Sequence, residues 1–335
     1  MTIEKGGRIA VIGDGGWGTT LAILLRKKGY KVGVWGPFAD YLELLDKKRE
    51  NPKFLPAVKI PSGISFSTDI RRVIEGACLI VLAVPSHFLR SVLIKIKNQD
   101  LSPIPVLSAA KGIENETLMP MSEVIKDVLG ISRLAVLSGP TISYEVARGI
   151  PTTCVVSSED SALAQEVQDV FMSERFRVYT SSDVVGVELA GALKNVIAIA
   201  CGISDGLGFG ANTKAALLTR GLVEIARLGT AMGARPETFA GLSGLGDLVT
   251  TCVSPHGRNR WVGEQIGRGK KLKGILAKME MVAEGVRTTK SAFILAQRHK
   301  VEMPITAEIF AVLYKDKDPL LAVNDLMLRE KKAEI

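Results

Sequence analysis

Short apolar runs alternate with amphipathic stretches through the first half of the chain. Arg8–Ile12 (RIAVI), Lys31–Trp35 (KVGVW), residues 78–83, Val106–Ser108, 134–137 and 153–156 read as strands, each flanked by helical periodicity. Residues 17–28 carry helical spacing, and Gly29 follows as the C′ residue that ends the helix. Strands alternating with helices imply a parallel, doubly wound sheet. After about residue 182 the pattern changes. Residues 184–203, 214–232, 258–268 and 290–298 have helical spacing, and strand-like runs largely disappear. Punctuation passes to glycine clusters at 202–210, 241–246 and 267–269. The expectation is an α/β domain over residues 1–182 followed by an all-helical domain over 183–335.

Composition fits that division. A chain of 335 residues exceeds one compact core. With 47% hydrophobic and 23% charged residues it is neither disordered nor fibrous. Aromatics are scarce, so Val, Ile, Leu and Ala must build the core, which suits parallel strands under helices. Cys78, Cys154, Cys201 and Cys252 are far apart in apolar surroundings, as small buried hydrophobes in a reducing compartment would be. The three histidines lack metal-ligand spacing, so no metal is expected. The opening residues hold no signal-like stretch, and the longest uncharged apolar run, 78–85, is too short to span a bilayer. A cytoplasmic protein without membrane insertion is expected. The net charge of +8 is spread as short basic pairs without interleaved aromatics, which argues against nucleic acid. A positive field does draw anionic cofactors and substrates.

The first candidate chemistry is Gly13-Asp14-Gly15-Gly16-Trp17-Gly18, a G-x-G-x-x-G run directly after one expected strand and before a helix. Gly13 permits the tight turn, Gly15 lets the backbone approach a pyrophosphate, and Gly18 lets the helix pack on the sheet. That placement reads as a Rossmann dinucleotide loop. The acid that usually binds the adenine ribose should follow the second strand, where the chain reads Trp35-Gly36-Pro37. With no carboxylate there and no arginine in the loop, the expected cofactor is NADP or NAD, leaning slightly to NADP.

Further motifs resemble the bacterial NAD(P)-dependent glycerol-3-phosphate dehydrogenase family, in family order and over nearly the whole chain. They are GDGGWGTTLA at 13–22, NPKFLP at 51–56, AVPSHFLR at 83–90, AAKGIE at 109–114 and LSGPTISYEVARG at 137–149. ELAGALKNVIAIACGISDGLGFGAN at 188–212, GLSGLGDLVTTC at 241–252, GRNR at 257–260 and VAEGVRTTK at 282–290 complete the series. The resemblance implies a Rossmann domain joined to a helical domain, assembly as a homodimer, and a phosphorylated triose as substrate. The implied product, sn-glycerol 3-phosphate, feeds glycerophospholipid synthesis.

By the same resemblance Lys194 matches the catalytic proton-transfer residue, and Lys111 a second active-site lysine touching substrate and cofactor. Gly139, Thr141, Asp247, Arg258 and Asn259 match substrate contacts, and Gly257 stands where a Ser usually helps them. Arg258 also reaches the cofactor, together with Trp17, Val282 and Glu284. Asp14 replaces a common Ala, Gly16 a common Ser or Asn, and Ser143 a common Ala near the cofactor. Pro37 stands where a basic residue often contacts the adenosine phosphate.

The residues themselves allow plainer readings. Lys194 could be a surface lysine, but Ala190, Leu193, Val196, Ile197 and Ala198 leave little polar face around it. A buried lysine whose neighbours, Lys111 among them, lower its pKa could protonate a substrate oxygen, with Asp247 orienting it. Arg258 could clamp a phosphate bidentately or make a surface ion pair. His87 reads as the start of a helix, and GISDGLGFG as a domain-connecting turn without the Lys-Ser/Thr of a P-loop. A dehydrogenase of hydroxyacyl or keto acids and a non-catalytic dinucleotide sensor are the alternatives.

Overall fold

The computed structural model describes residues 3–279, 282–331 and 333–334. By its internal contacts the chain divides into two compact units, Met1–Glu114 with Met119–Glu188, and Asn115–Leu118 with Leu189–Ile335.

The first unit runs β1 (Arg8–Ile12), α1 (Gly16–Lys27), β2 (Lys31–Trp35), α2 (Ala39–Lys48), β3 (Glu50–Asn51), β4 (Leu55–Lys59), β5 (Ile64–Ser67) and α3 (Ile70–Ile74). It continues through β6 (Ala77–Leu82), α4 (Ser86–Ile94), β7 (Val106–Ser108), α5 (Met121–Leu129), β8 (Leu134–Ser138) and α6 (Ser143–Ala147). β9 (Thr152–Ser157), α7 (Ser161–Phe171) and β10 (Phe176–Ser181) follow. Eight strands form one sheet in the order β10-β9-β8-β7-β6-β1-β2-β5, and β3 and β4 form a separate hairpin. Alternation sends Ile9 and Val11 to one face, packed with Leu21 and Leu25 of α1 and with Leu163 and Val167 of α7. Ala10 and Ile12 meet Leu89 and Leu93 of α4 and Val124 of α5 on the other face. Both faces are therefore covered, and α1 ends as expected, with Gly29 at φ 93° after the Lys28 cap.

Two expectations need correction. The sheet is not wholly parallel, because β9 runs antiparallel to β8, with Leu137 opposite Val156. The connection between them holds only the five-residue α6 in place of a full crossover helix, and it returns the chain alongside. Beyond the strands expected, β5 and β10 extend the sheet at its two edges, where polar and charged positions interrupt the apolar pattern.

The second unit contains no strand among the described residues. Its helices are α8 (Val184–Gly206, which begins in the first unit), α9 (Ala211–Ala231), α10 (Pro236–Phe239), a π-helical turn (Leu242–Gly246) and α11 (Asp247–Val253). α12 (Arg258–Gly267), α13 (Leu272–Leu276), α14 (Glu284–Arg298), α15 (Pro304–Tyr314) and α16 (Pro319–Met327) follow. α8 is long and apolar enough to cross a bilayer by length and composition, which the short run at 78–85 did not foretell; 89% of its most apolar window is buried inside the protein.

The glycine cluster at 202–210 also differs from a simple connecting turn, since Gly202 and Gly206 lie inside α8. A Cβ on Gly202 would stand 1.9 Å from the Arg260 carbonyl oxygen, and one on Gly263 2.1 Å from that of Ile199. Backbone meets backbone where α8 crosses α12, an approach only glycine permits.

Candidate active site

The dinucleotide loop grows directly from the strand register. Ile12 of β1 lies opposite Trp35 of β2 and Leu82 of β6, so Gly13 emerges at the carboxyl ends of three neighbouring strands. Its N–H donates to the Trp35 carbonyl (2.9 Å), its φ is 129°, and a Cβ would meet the Ala83 carbonyl oxygen at 2.7 Å. A Cβ on Gly18 would stand 1.9 Å from the Gly13 carbonyl oxygen, so α1 starts tight against the loop. Nothing lies within 4 Å of the Cβ position at Gly15, which leaves space before the helix N-terminus. α1 has no side-chain cap and no acid in its first turn. Open N–H groups at the positive end of a twelve-residue helix fit a pyrophosphate. The Trp17 indole N–H is buried without an acceptor among the described residues.

The hairpin after α2 braces this loop. Asn51, fully buried, donates through Nδ2 to the Asp14 carbonyl (2.8 Å) and to Thr19 Oγ1 (2.7 Å), and its Oδ1 accepts from the Tyr41 hydroxyl (2.6 Å). The Phe54 carbonyl oxygen covers Gly16, 2.6 Å from where a Cβ would be. The NPKFLP segment thus serves the glycine loop twice, through the Asn51 amide and through the Phe54 carbonyl over Gly16. Pro37 is exposed just past β2. Ser143 opens α6, and its carbonyl accepts from Thr20 of α1 (3.1 Å).

Lys111, Gly139 and Thr141 also come together within the first unit. Lys111 Nζ donates to the Gly139 carbonyl (2.9 Å), and Thr141 Oγ1 to the same oxygen (3.1 Å). Gly139 has φ 131° and packs on Cys154, where a Cβ would lie 3.0 Å from Cα. Burial pushes the Cys154 thiol up to about 12 in spite of Lys111, so it is an inert filler.

In the second unit Lys194 is buried on α8 at 6% exposure. Its ammonium pairs with the carboxylate of Asp247, itself 1% exposed, and donates to Thr251 Oγ1 (2.6 Å). The π-helical turn leads straight into Asp247 at the start of α11, and one turn later Thr251 faces the same ammonium. Such widened turns recur at functional sites. Within this unit Lys194 therefore meets an acid and a hydroxyl. Thr251 was not foreseen, because only the turn of α11 shows that it shares a face with Asp247.

Asn195, next along α8, accepts from Asn259 Nδ2 (2.9 Å), and Asn259 Oδ1 accepts from the Gly285 N–H (2.9 Å). One buried amide therefore ties α8, α12 and the start of α14 together, with Glu284 the residue before the bonded Gly285. Gly257 is the N-cap of α12 and Arg258 its first residue. Arg258 is exposed and has no hydrogen-bond or ion-pair partner among the described residues, which leaves its guanidinium open to an anion. Cys252 follows Thr251; a hydrogen bond shared with Cys201, and burial after it, push its thiol well above the ordinary value. The cluster offers a buried ammonium–carboxylate pair and a hydroxyl, with an open guanidinium at the start of α12.

Comparison with known proteins agrees with these motifs. The family model described as NAD-dependent glycerol-3-phosphate dehydrogenase N-terminus matches residues 8–164, and its C-terminus counterpart matches residues 183–324. A protein of Syntrophotalea carbinolica named glycerol-3-phosphate dehydrogenase [NAD(P)+] is 53% identical over 330 residues, covering 98% of this chain and 99% of that one. A Thermoanaerobacter protein of the same name is 50% identical over 328 residues, covering 98% and 99%. The crystal structure of glycerol-3-phosphate dehydrogenase from Coxiella burnetii superposes with a TM-score of 0.94 at 37% identity, over 97% of this chain and all of that one. The chain belongs to the NAD-dependent glycerol-3-phosphate dehydrogenase family.

Proposed function

We propose that the chain interconverts dihydroxyacetone phosphate and sn-glycerol 3-phosphate with NAD(P)H or NAD(P)+. When bound, the nicotinamide supplies or accepts the hydride at C2. The observation that carries the reading is the buried Lys194–Asp247–Thr251 cluster, braced through Asn195 and Asn259 to the first residue of α12, Arg258. Reduction at C2 leaves negative charge on the former carbonyl oxygen. Lys194 Nζ donates the proton there, while Asp247 and Thr251 fix its direction and hold it charged until transfer. Arg258 clamps the phosphate with its planar fork, and Asn259 keeps one N–H for the same ligand. Lys111, Gly139 and Thr141 complete the substrate contacts, with Gly257 offering backbone alone.

Most cofactor contacts fall to residues 1–182, and the proton donor and phosphate clamp to residues 183–335. Gly13, Gly15, Gly16, Trp17 and Gly18 cradle the dinucleotide, and Pro37, Lys111, Ser143, Arg258, Val282 and Glu284 complete the cofactor contacts. Family resemblance supports a cytoplasmic homodimer that supplies glycerophospholipid synthesis and has no nucleic-acid partner. The test is oxidation of NADH and NADPH by the purified chain with dihydroxyacetone phosphate and with bare dihydroxyacetone. Activity confined to the phosphorylated ketone is expected. Equal activity on both, or activity only with a hydroxyacyl or keto acid substrate, would remove the reading.

A further inference from the structure

The acid missing after β2 has a substitute one strand away. Gly13 N–H is bonded to the Trp35 carbonyl, so the residue after Gly13 reaches the end of β2. There Asp14 lays its carboxylate on Gly36. A Cβ on Gly36 would stand 2.4 Å from Asp14 Oδ2 and 2.6 Å from Cγ. The side chain thus occupies the place that any residue larger than glycine at 36 would fill. Its backbone is fixed by Asn51 Nδ2 (2.8 Å) and Thr19 Oγ1 (3.3 Å), both donating to the Asp14 carbonyl. No cation pairs with the carboxylate among the described residues.

We propose that Asp14 selects the cofactor: its carboxylate accepts hydrogen bonds from the 2′- and 3′-hydroxyls of the adenine ribose and repels a 2′-phosphate, so that the chain prefers NADH to NADPH. This rests on the reading of the chain as an NAD(P)-dependent dehydrogenase. It reverses the leaning to NADP drawn from Trp35-Gly36-Pro37 alone. An acid after the second strand selects NAD because two acceptor oxygens match a vicinal diol and a phosphate there meets like charge. The chemistry needs a carboxylate at that point in space, whichever strand supplies it. Here the first strand supplies it, Gly36 makes room for it, and uncharged Pro37 offers a 2′-phosphate no counter-charge. Burial pushes the Asp14 carboxyl up from its ordinary value, and hydroxyl donors from a ribose would draw it back down.

The experiment measures affinity directly, apart from turnover. Calorimetry would compare NADH with NADPH, and 5′-AMP with adenosine 2′,5′-bisphosphate, on the wild type, Asp14→Ala and the isosteric Asp14→Asn. The wild type should bind NADH at least about tenfold more tightly than NADPH, and the ratio should move toward NADPH by roughly tenfold or more in both variants. The two adenosine nucleotides should follow the same order on the wild type, which keeps the idea testable if a variant fails to fold. Equal or tighter NADPH binding by the wild type, or an unmoved ratio in both variants, overturns the proposal. Tight, selective NADH binding without reduction of dihydroxyacetone phosphate would sustain the role of Asp14 and sink the assigned reaction instead.

Discussion

The carboxylate of Asp247 rests on the ammonium of Lys194, and both side chains are almost wholly buried. A lone buried ammonium would cost several kcal/mol, so the acid is what keeps a charged proton donor inside the helical unit. Two properties of one pair, stability and turnover, can be separated by mutation.

Asp247→Ala should destabilise the protein by roughly 3–5 kcal/mol, since Lys194 is left buried without a counter-charge. Adding Lys194→Met to Asp247→Leu should restore most of that stability while activity stays lost. Urea unfolding of the single and double variants measures the first effect, and a steady-state assay the second. A double variant as unstable as Asp247→Ala would show that the pair's charge is not the issue.

Acidity acts on another buried carboxylate, Glu188, which accepts from the Ser122 N–H (2.9 Å) and the Ser122 hydroxyl. Burial pushes its carboxyl from 4.5 up to about 7. Because the folded value is raised, its stabilisation is complete below pH 4.5 and is lost as pH rises to about 7. Glu224, raised to about 7 by burial against the start of α15, has the same sign. Glu188→Gln should therefore remove part of the fall in stability between pH 5 and 7.5, on the order of 3 kcal/mol at most. Denaturant midpoints at the two pH values test this; an identical slope in the variant would show that Glu188 is ionised when folded.

Close helix crossing fixes Arg258. Gly263→Ala would push a methyl group toward the Ile199 carbonyl, 2.1 Å from the Cβ position. Overpacking of this kind costs about 1–3 kcal/mol. The displaced α12 should also raise KM for the phosphorylated substrate. Gly274→Ala in α13, where nothing lies within 4 Å, is the control: it should leave KM unchanged and hold or raise stability by up to about 1 kcal/mol. Equal effects in the two variants would mean that the crossing is not tight.

Much of this was legible in the chain. The apolar runs of β1, β2, β6 and β7 and the glycine loop stand out because burial on two faces and a tight turn each demand particular residues. Strand direction did not, since periodicity is the same in both senses, and β9 turned out antiparallel to β8. Lys194 announced its burial through its apolar neighbours, whereas Thr251 and Asn195 look like ordinary helix residues until α8, α11 and α12 meet. Asn51 carries no local signal either; its amide matters only because the hairpin folds onto the Asp14 carbonyl. Within the glycine cluster at 202–210, Gly202 and Gly206 serve contact between helices, which a pattern of glycines alone does not distinguish from punctuation.

Arg258→Ala should lower kcat/KM for dihydroxyacetone phosphate by roughly 10² or more, as loss of a charge-assisted, partly desolvated contact implies. The bare ketone, already a very poor substrate, should lose far less. Arg258→Lys should recover part of the loss, because a point charge cannot reproduce the bidentate fork. Cofactor affinity must be measured for each variant, since Arg258 is also assigned a cofactor contact. A fall by the same factor on both ketones would place the phosphate elsewhere.

The proton donor is the centre of the account, and Lys194→Met tests it most directly. Turnover of dihydroxyacetone phosphate, followed by the loss of NADH or NADPH absorbance, would be measured beside cofactor affinity in wild type and variant. The account predicts rapid oxidation by the wild type, a fall in kcat of at least ~10² in the variant, and nearly unchanged cofactor binding. A variant that turns over near the wild-type rate would contradict it.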